Sequence, residues 1–403
     1  MDSIYIARQP IYDKNLEIVA YELLYRDNNI NAAVFDDGKQ ASSLTIVNSF
    51  IHIGIEDLVG TALAFINLPT DFILDSSLIP ALEHQTVIEV LEDVEPTEEV
   101  VAGIKKLKSM GYKIALDDFI YSDKYKPMLA LADFVKIDVL HTDNSTLSDL
   151  VSKLRAYDSI KLIAEKVETH EVFQQFQALG FDYYQGYFFC KPILVEHKNL
   201  PANKAVVLNL LNQLHHPDTE VNQLEAILTQ DVSLSFKLLR YINSAAFSLR
   251  REIESVKEAI VLLGLGPVKN WASLILLTKA ASDKPDQLIV TALLRAKMSE
   301  LLAVKLKPAV ATQVFVCGLF SVLDALMDKP MVELLDNVPL STNIKVALLE
   351  REGELGELLN NCIHYERAEF NELDLINIDT GLYHQCYLAA AKWADETMRE
   401  LKA

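Results

Sequence analysis

The chain has 403 residues, half of them hydrophobic and 23% charged, with a formal net charge of −20 and a pI near 4.9. That length exceeds the usual single core, so two domains are expected, and the composition is that of a folded rather than a disordered chain. The acidic balance excludes a broad basic face able to hold duplex nucleic acid through its phosphates, although a metal ion or a few placed cations would still admit a small anionic ligand.

The opening MDSIYIARQP lacks a basic stretch followed by a long apolar one. No apolar run approaches the roughly 18 residues of a membrane span, so a cytoplasmic protein without membrane insertion is expected. Seven β-branched or apolar runs then follow as strand candidates: EIVAYELLYR (17–26), ALAFINL (62–68), TVIEVLE (86–92), KIALDDF (113–119), FVKIDVL (134–140), KLIAEKVE (161–168) and FDYYQGYFF (181–189). Helical segments lie between them. PTEEVVAGIKKLKSMG is typical, with Glu early, Lys late and Gly at its stop, as capping and the helix dipole favour. Such βα repetition predicts a mainly parallel sheet or an α/β barrel over residues 1–195.

Two prolines and several polar residues break the pattern in KPILVEHKNLPANK (191–204), which places a linker at 196–203. From 204 to 403 apolar residues recur at helical spacing, so an all-α second domain is expected. Cys190, Cys317, Cys362 and Cys386 are too widely spaced for a zinc site or a disulfide framework and read as buried thiols. His215 and His216, before Pro217, read as a surface turn.

Each strand of the first half carries a polar residue near its C-terminal end: Glu22, Asn67, Glu89, Asp117 with Asp118, Lys136, Glu165 with Glu168, and Gln185. In a closed barrel those ends meet at one mouth, where active sites are built. One such residue alone would read as a helix cap; a set of them does not. Clustered carboxylates repel one another unless cations are bound, and oxygen ligands without His or Cys suit Mg²⁺, Mn²⁺ or Ca²⁺. Adjacent aspartates share one site only where a strand ends and the chain turns. Their adjacency suits two cations about 3.5–4 Å apart, the arrangement that hydrolyses phosphodiesters by in-line attack.

These motifs resemble the EAL domains, bacterial cyclic di-GMP phosphodiesterases of TIM-like fold. RQPIYD, YELLYR, IEVLED, ALDDF, VKID, AEKVE and YYQGYFF stand in the family's order, with Leu23 where Ala is usual. The resemblance implies a two-metal site using Mg²⁺ or Mn²⁺. Glu22, Asn67, Glu89 and Asp117 would hold one ion; Asp117, Asp118 and Glu165 would serve the second, with Glu168 and Gln185 completing the shell. Lys136 would orient the attacking water and Glu165 act as general base. Arg26 would grip a phosphate, Gln9 and Gln185 touch the ligand, and Glu92 brace the loop after the paired aspartates. Two departures stand out: Phe119-Ile120-Tyr121-Ser122 where Phe-Gly-Thr-Gly is usual, and Lys166 where Gly is common.

The second half is similar to the HDOD module, a helical relative of HD phosphohydrolases. Gly318-Leu319-Phe320-Ser321-Val322 lacks the metal-binding His-Asp of the hydrolases, so a non-catalytic domain that docks a protein partner, or a second copy in a homodimer, is implied. The whole chain resembles an EAL-HDOD hybrid that hydrolyses cyclic di-GMP to pGpG. The alternative is a weak or inactive EAL domain that serves as a cyclic di-GMP receptor or an interaction scaffold.

Overall fold

Eight strands close a barrel in the computed structural model of the protein, which describes residues 4–27, 55–76, 79, 85–139, 144–186, 202–229, 232–243, 253–281, 284–373 and 380–402. The strands are β1 (Ile4–Asp13), β2 (Ile18–Asp27), β3 (Leu63–Asn67), β4 (Thr86–Val90), β5 (Lys113–Leu116), β6 (Phe134–Asp138), β7 (Lys161–Glu165) and β8 (Tyr183–Gln185). From β2 to β8 each strand pairs in parallel with the next, whereas β1 runs antiparallel to both β2 and β8. All seven expected strands are present, and β1 is the addition. Pro10 hides it from a pattern search, because proline cannot donate to a ladder. It is tolerated here because, among the described residues, β8 meets only Ile11–Asp13, leaving Pro10 paired on the β2 side.

The barrel interior is a packed floor of Ile11, Ala20, Phe65, Val87, Ala115, Phe134 and Ile163, with Tyr183 against it. Phe65 and Phe134 meet edge to face at 5.1 Å and fill its centre. Outside, the helix Glu98–Ser109 starts on Thr97, whose side chain accepts from Val100 N, and its acidic first turn and basic last turn suit the dipole. Gly103 lets that helix approach the segment after β3, since a Cβ there would stand 2.1 Å from Ile73 O.

Two units make up the chain, one joining residues 1–189 with 365–384 and the other 190–364 with 385–403. Within the first, the Tyr365 hydroxyl donates to Ile6 O on β1 at 3.3 Å. The second is helical throughout its described residues. Its longest helix there, Asp286–Leu306, is buried along most of its length and packs on Ala311–Phe320. Gly318 marks their closest approach, where a Cβ would fall 2.4 Å from Ala296 Cα. Cys317, Cys362 and Cys386 form no disulfide and are buried as expected, while Cys190 lies outside the described residues.

The expected surface turn at His215-His216 splits. His216 is exposed, but the His215 ring turns inward, 2.8 Å from Ser273 Oγ and edge-on to Phe320. Helix Ala202–His215 ends on that residue, so His215 still obeys the apolar-face spacing set by Leu211 and Leu214.

Candidate functional site

Side chains alternate along a strand, so a residue two positions beyond a floor residue faces the same interior one layer higher. That rule places the whole polar set. Ala20 leads to Glu22, Phe65 to Asn67, Val87 to Glu89, Ala115 to Asp117, Phe134 to Lys136, Ile163 to Glu165 and Tyr183 to Gln185. On antiparallel β1 the same step runs backwards from Ile11 to Gln9, which lies directly opposite Glu22. The mouth is therefore one continuous polar layer above an apolar floor.

Lys136 is its centre. The side chain is fully buried, and its Nζ lies 2.6 Å from Glu89 Oε1, 2.8 Å from Asp117 Oδ1, 3.0 Å from Glu165 Oε1 and 3.1 Å from Glu22 Oε2. Asn67 Nδ2 donates to Glu22 Oε1 at 3.1 Å, and Gln185 Nε2 donates to Glu22 Oε2 at 2.6 Å.

One ammonium cannot neutralise four carboxylates, and their titration divides accordingly. Burial opposes ionisation of Glu22, yet Lys136, Gln185 and Asn67 outweigh it and hold the carboxyl below its usual value. Burial, joined by the charges of Glu22 and Asp117, pushes Glu89 well up despite its short contact with Lys136. Asp117 is raised, chiefly by burial. Glu165 is raised to about 8, by burial first and by Asp117 and Glu22 against Lys136. Burial would lower Lys136, but the four carboxylates raise it well above the ordinary lysine value.

The paired aspartates share the mouth because β5 stops at Leu116 and Asp118 takes φ +39°. This left-handed turn, uncommon outside glycine, keeps Asp118 beside Asp117 instead of behind it. None of Phe119 to Ser122 takes a positive φ, so this loop runs without the glycines usual there. Phe119 tucks in against Tyr125, Lys153 lies over the Tyr121 ring, and Ile120 is 83% exposed. Tyr125 thus packs within the loop. The loop, Asp117, Asp118 and Glu92 line a cavity of about 300 Å³.

Other expected residues fall further out. Glu92 and Glu168 are solvent-exposed and make no ion pair with Lys136, and the Arg26 side chain lies outside what is described. Asp138 escaped the sequence reading, although it stands two positions beyond Lys136 on β6. Lys166 Nζ is 2.6 Å from Asp138 Oδ2 and 3.8 Å from Asp118 Oδ1.

Among the described residues no three acidic, His or Cys side chains are arranged to hold an ion as they stand, because the oxygens gather on Lys136. The donor chemistry nonetheless fits a hard divalent cation. Glu89 Oε2, Asp118 Oδ1, Glu165 Oε2 and Gln185 Oε1 are buried acceptors that receive no hydrogen bond.

A closed barrel with this polar mouth, followed by a helical half, defines an EAL-type barrel joined to a second helical domain. The EAL domain family matches residues 2–192 and the HDOD domain family residues 200–343. Over 406 residues the chain is 31% identical to "Cyclic di-GMP phosphodiesterase CdgJ" of Vibrio cholerae, covering 99% of this chain and 94% of that protein. It is 32% identical to YuxH of Bacillus subtilis, covering 98% and 99%. The chain belongs to the EAL-HDOD family that these proteins share. Among solved structures it is similar to Klebsiella pneumoniae BlrP1 in a manganese and cyclic di-GMP complex, 25% identical over 46% of this chain and 55% of that one, with a TM-score of 0.38. No helix among the described residues is long and apolar enough to cross a membrane.

Proposed function

We propose that this protein is a metal-dependent phosphodiesterase that opens cyclic di-GMP to linear pGpG. The observation that carries the reading is the complete polar layer around Lys136, with buried acceptor oxygens that one ammonium leaves unsatisfied. The CdgJ relative, whose name states this activity, supports it across the full chain.

Glu22, Asn67, Glu89 and Asp117 would hold one divalent ion, and Asp117, Asp118 and Glu165 a second, Mg²⁺ or Mn²⁺, which when bound would polarise the phosphodiester and ease deprotonation of water. Loading would require Glu22, Glu89 and Asp117 to turn from Lys136, while Glu165 could keep Oε1 on it and offer Oε2. Glu165, whose Oε2 is buried and receives no hydrogen bond, would act as general base. Lys136 would donate to the attacking water and hold Glu165 in place. Gln9, Gln185 and Arg26 would orient the nucleotide, Glu168 would join the outer ligand shell, and Glu92 would brace the loop that follows Asp118.

We further place the barrel domain at 1–195, the linker at 196–203 and the HDOD domain at 204–403, in a cytoplasmic protein. The helical domain would dock a protein partner or a second copy. Ser321 stands where a hydrolase would carry a metal-binding histidine and donates to Gly318 O, so that domain would regulate, not cleave.

The loop Phe119–Ser122, lacking the usual glycines, favours a second reading as a cyclic di-GMP receptor that does not turn the ligand over. Incubation with cyclic di-GMP and Mg²⁺ or Mn²⁺, with products separated by chromatography, decides between the two. The expected result is pGpG from the parent chain and none from Asp117→Asn or Glu165→Gln; bound but intact ligand would select the receptor.

A further inference from the structure

Lys166 is the one departure from the family pattern that puts a charge into the mouth. It follows Glu165 at the end of β7 with φ +56°, a left-handed angle that costs a lysine energy and turns its side chain toward the end of β6. Two carboxylates meet its ammonium there, Asp138 at 2.6 Å and Asp118 at 3.8 Å. Asp118 itself takes φ +39°. Two left-handed turns, after β5 and β7, thus flank the end of β6 and converge on one ion cluster beside the one around Lys136.

The consequence for cations is electrostatic. Asp118 Oδ1 is buried and receives no hydrogen bond, so it is a ligand in waiting. Any cation it took up would stand close to an ammonium already held by Asp138. A fixed like charge at that range lowers affinity for a second positive ion, most at low salt, where charges this exposed are least screened. The first ion would be held by Glu22, Asn67, Glu89 and Asp117, none of which is among the carboxylates paired with Lys166, so it would feel that charge less.

We propose that Lys166 is a positioning residue that stands in for part of the charge of a second metal ion at Asp118, so that this chain takes up one divalent cation tightly and a second one at least about tenfold more weakly. This rests on the metal-dependent reading given above. It makes the occupancy of the second position, and with it turnover, depend on the free cation concentration.

Counting bound Mn²⁺ on the full chain by electron paramagnetic resonance, at fixed pH and low salt, tests it without relying on activity. The parent and Lys166→Arg should bind one ion tightly and a second at least tenfold more weakly. Lys166→Gln, which removes the charge and keeps the bulk, and Lys166→Gly, which also suits φ +56°, should both tighten the second ion about tenfold or more. Two equal ions in the parent, or no change in Lys166→Gln, overturns the proposal alone. A gain confined to Lys166→Gly assigns the effect to the backbone and also overturns it. Failure of every form to bind Mn²⁺ overturns the metal-dependent reading together with the proposal.

Discussion

At the scale of single residues the mouth poses a problem in charge. Lys136 is completely buried among four carboxylates, and removing one partner from a buried ionic cluster costs roughly 3–5 kcal/mol because the charge left behind has no counter-ion. Lys136→Met should therefore destabilise the metal-free barrel unit by about that amount. The chain offers a clean readout. Its two tryptophans, Trp271 and Trp393, both belong to the helical unit and sit 5.7 Å apart. A urea transition that moves down by far-ultraviolet circular dichroism but not by tryptophan fluorescence is the barrel's. Added Mn²⁺ should restore part of the loss, since a ligand bound only by the folded state stabilises it. The residues of this layer were legible in sequence for one physical reason: each stands at a strand end, and strand ends meet in a barrel. Asp138 obeys the same two-residue step from Lys136 and was within reach of the rule. The pairing of Lys166 with Asp138 was not, because it depends on a left-handed turn at a lysine, which no side-chain pattern encodes.

Whole elements were legible where their periodicity was strong. Seven strands follow from apolar runs, and the helical half from its spacing, whereas β1 is interrupted by Pro10 and becomes a strand only through its ladder with β2. Where β5 stops could not be read either, since KIALDDF continues apolar beyond Asp118 and only the turn at φ +39° ends it. In the helical half, the close approach of Asp286–Leu306 to Ala311–Phe320 depends on Gly318. A methyl there would lie 2.4 Å from both Cα and N of Ala296. These are backbone atoms of a buried helix, so neither side can give without moving as a body. Gly318→Ala should cost about 1–3 kcal/mol through overpacking. Trp393, whose ring lies 6.3 Å from that of Phe315 on the displaced helix, reports it directly. The expected result is a lower urea midpoint by tryptophan fluorescence with the barrel transition unmoved; an unchanged midpoint would show that the two helices are not held at this spacing.

At the scale of the molecule, the net charge of −20 says that acid should relieve repulsion overall, so any loss of stability on mild acidification needs a particular cause. His215 supplies one in the helical unit. Ser273 Oγ donates to Lys269 O at 2.8 Å, so the His215 ring must donate from Nε2 to that hydroxyl. Burial, and then Lys269, lower His215 from 6.5 to about 4. Between those values the unfolded chain binds a proton that the folded unit refuses, so stability is complete above pH 6.5, falls as the pH drops, and levels off near 4. The slope should approach 1.4 kcal/mol per pH unit, with a total of about 3 kcal/mol. Burial raises Asp324 in the same unit, so its folded form takes up a proton first and works in the opposite direction at the acid end of the window. The difference between parent and His215→Gln, whose amide can still donate to Ser273, cancels Asp324 and isolates the histidine. Urea midpoints followed by tryptophan fluorescence from pH 7.5 to 4.5 should therefore converge on those of the variant at the neutral end and fall below them toward acid. Parallel curves would mean that the ring is protonated in place and that Ser273 holds an imidazolium.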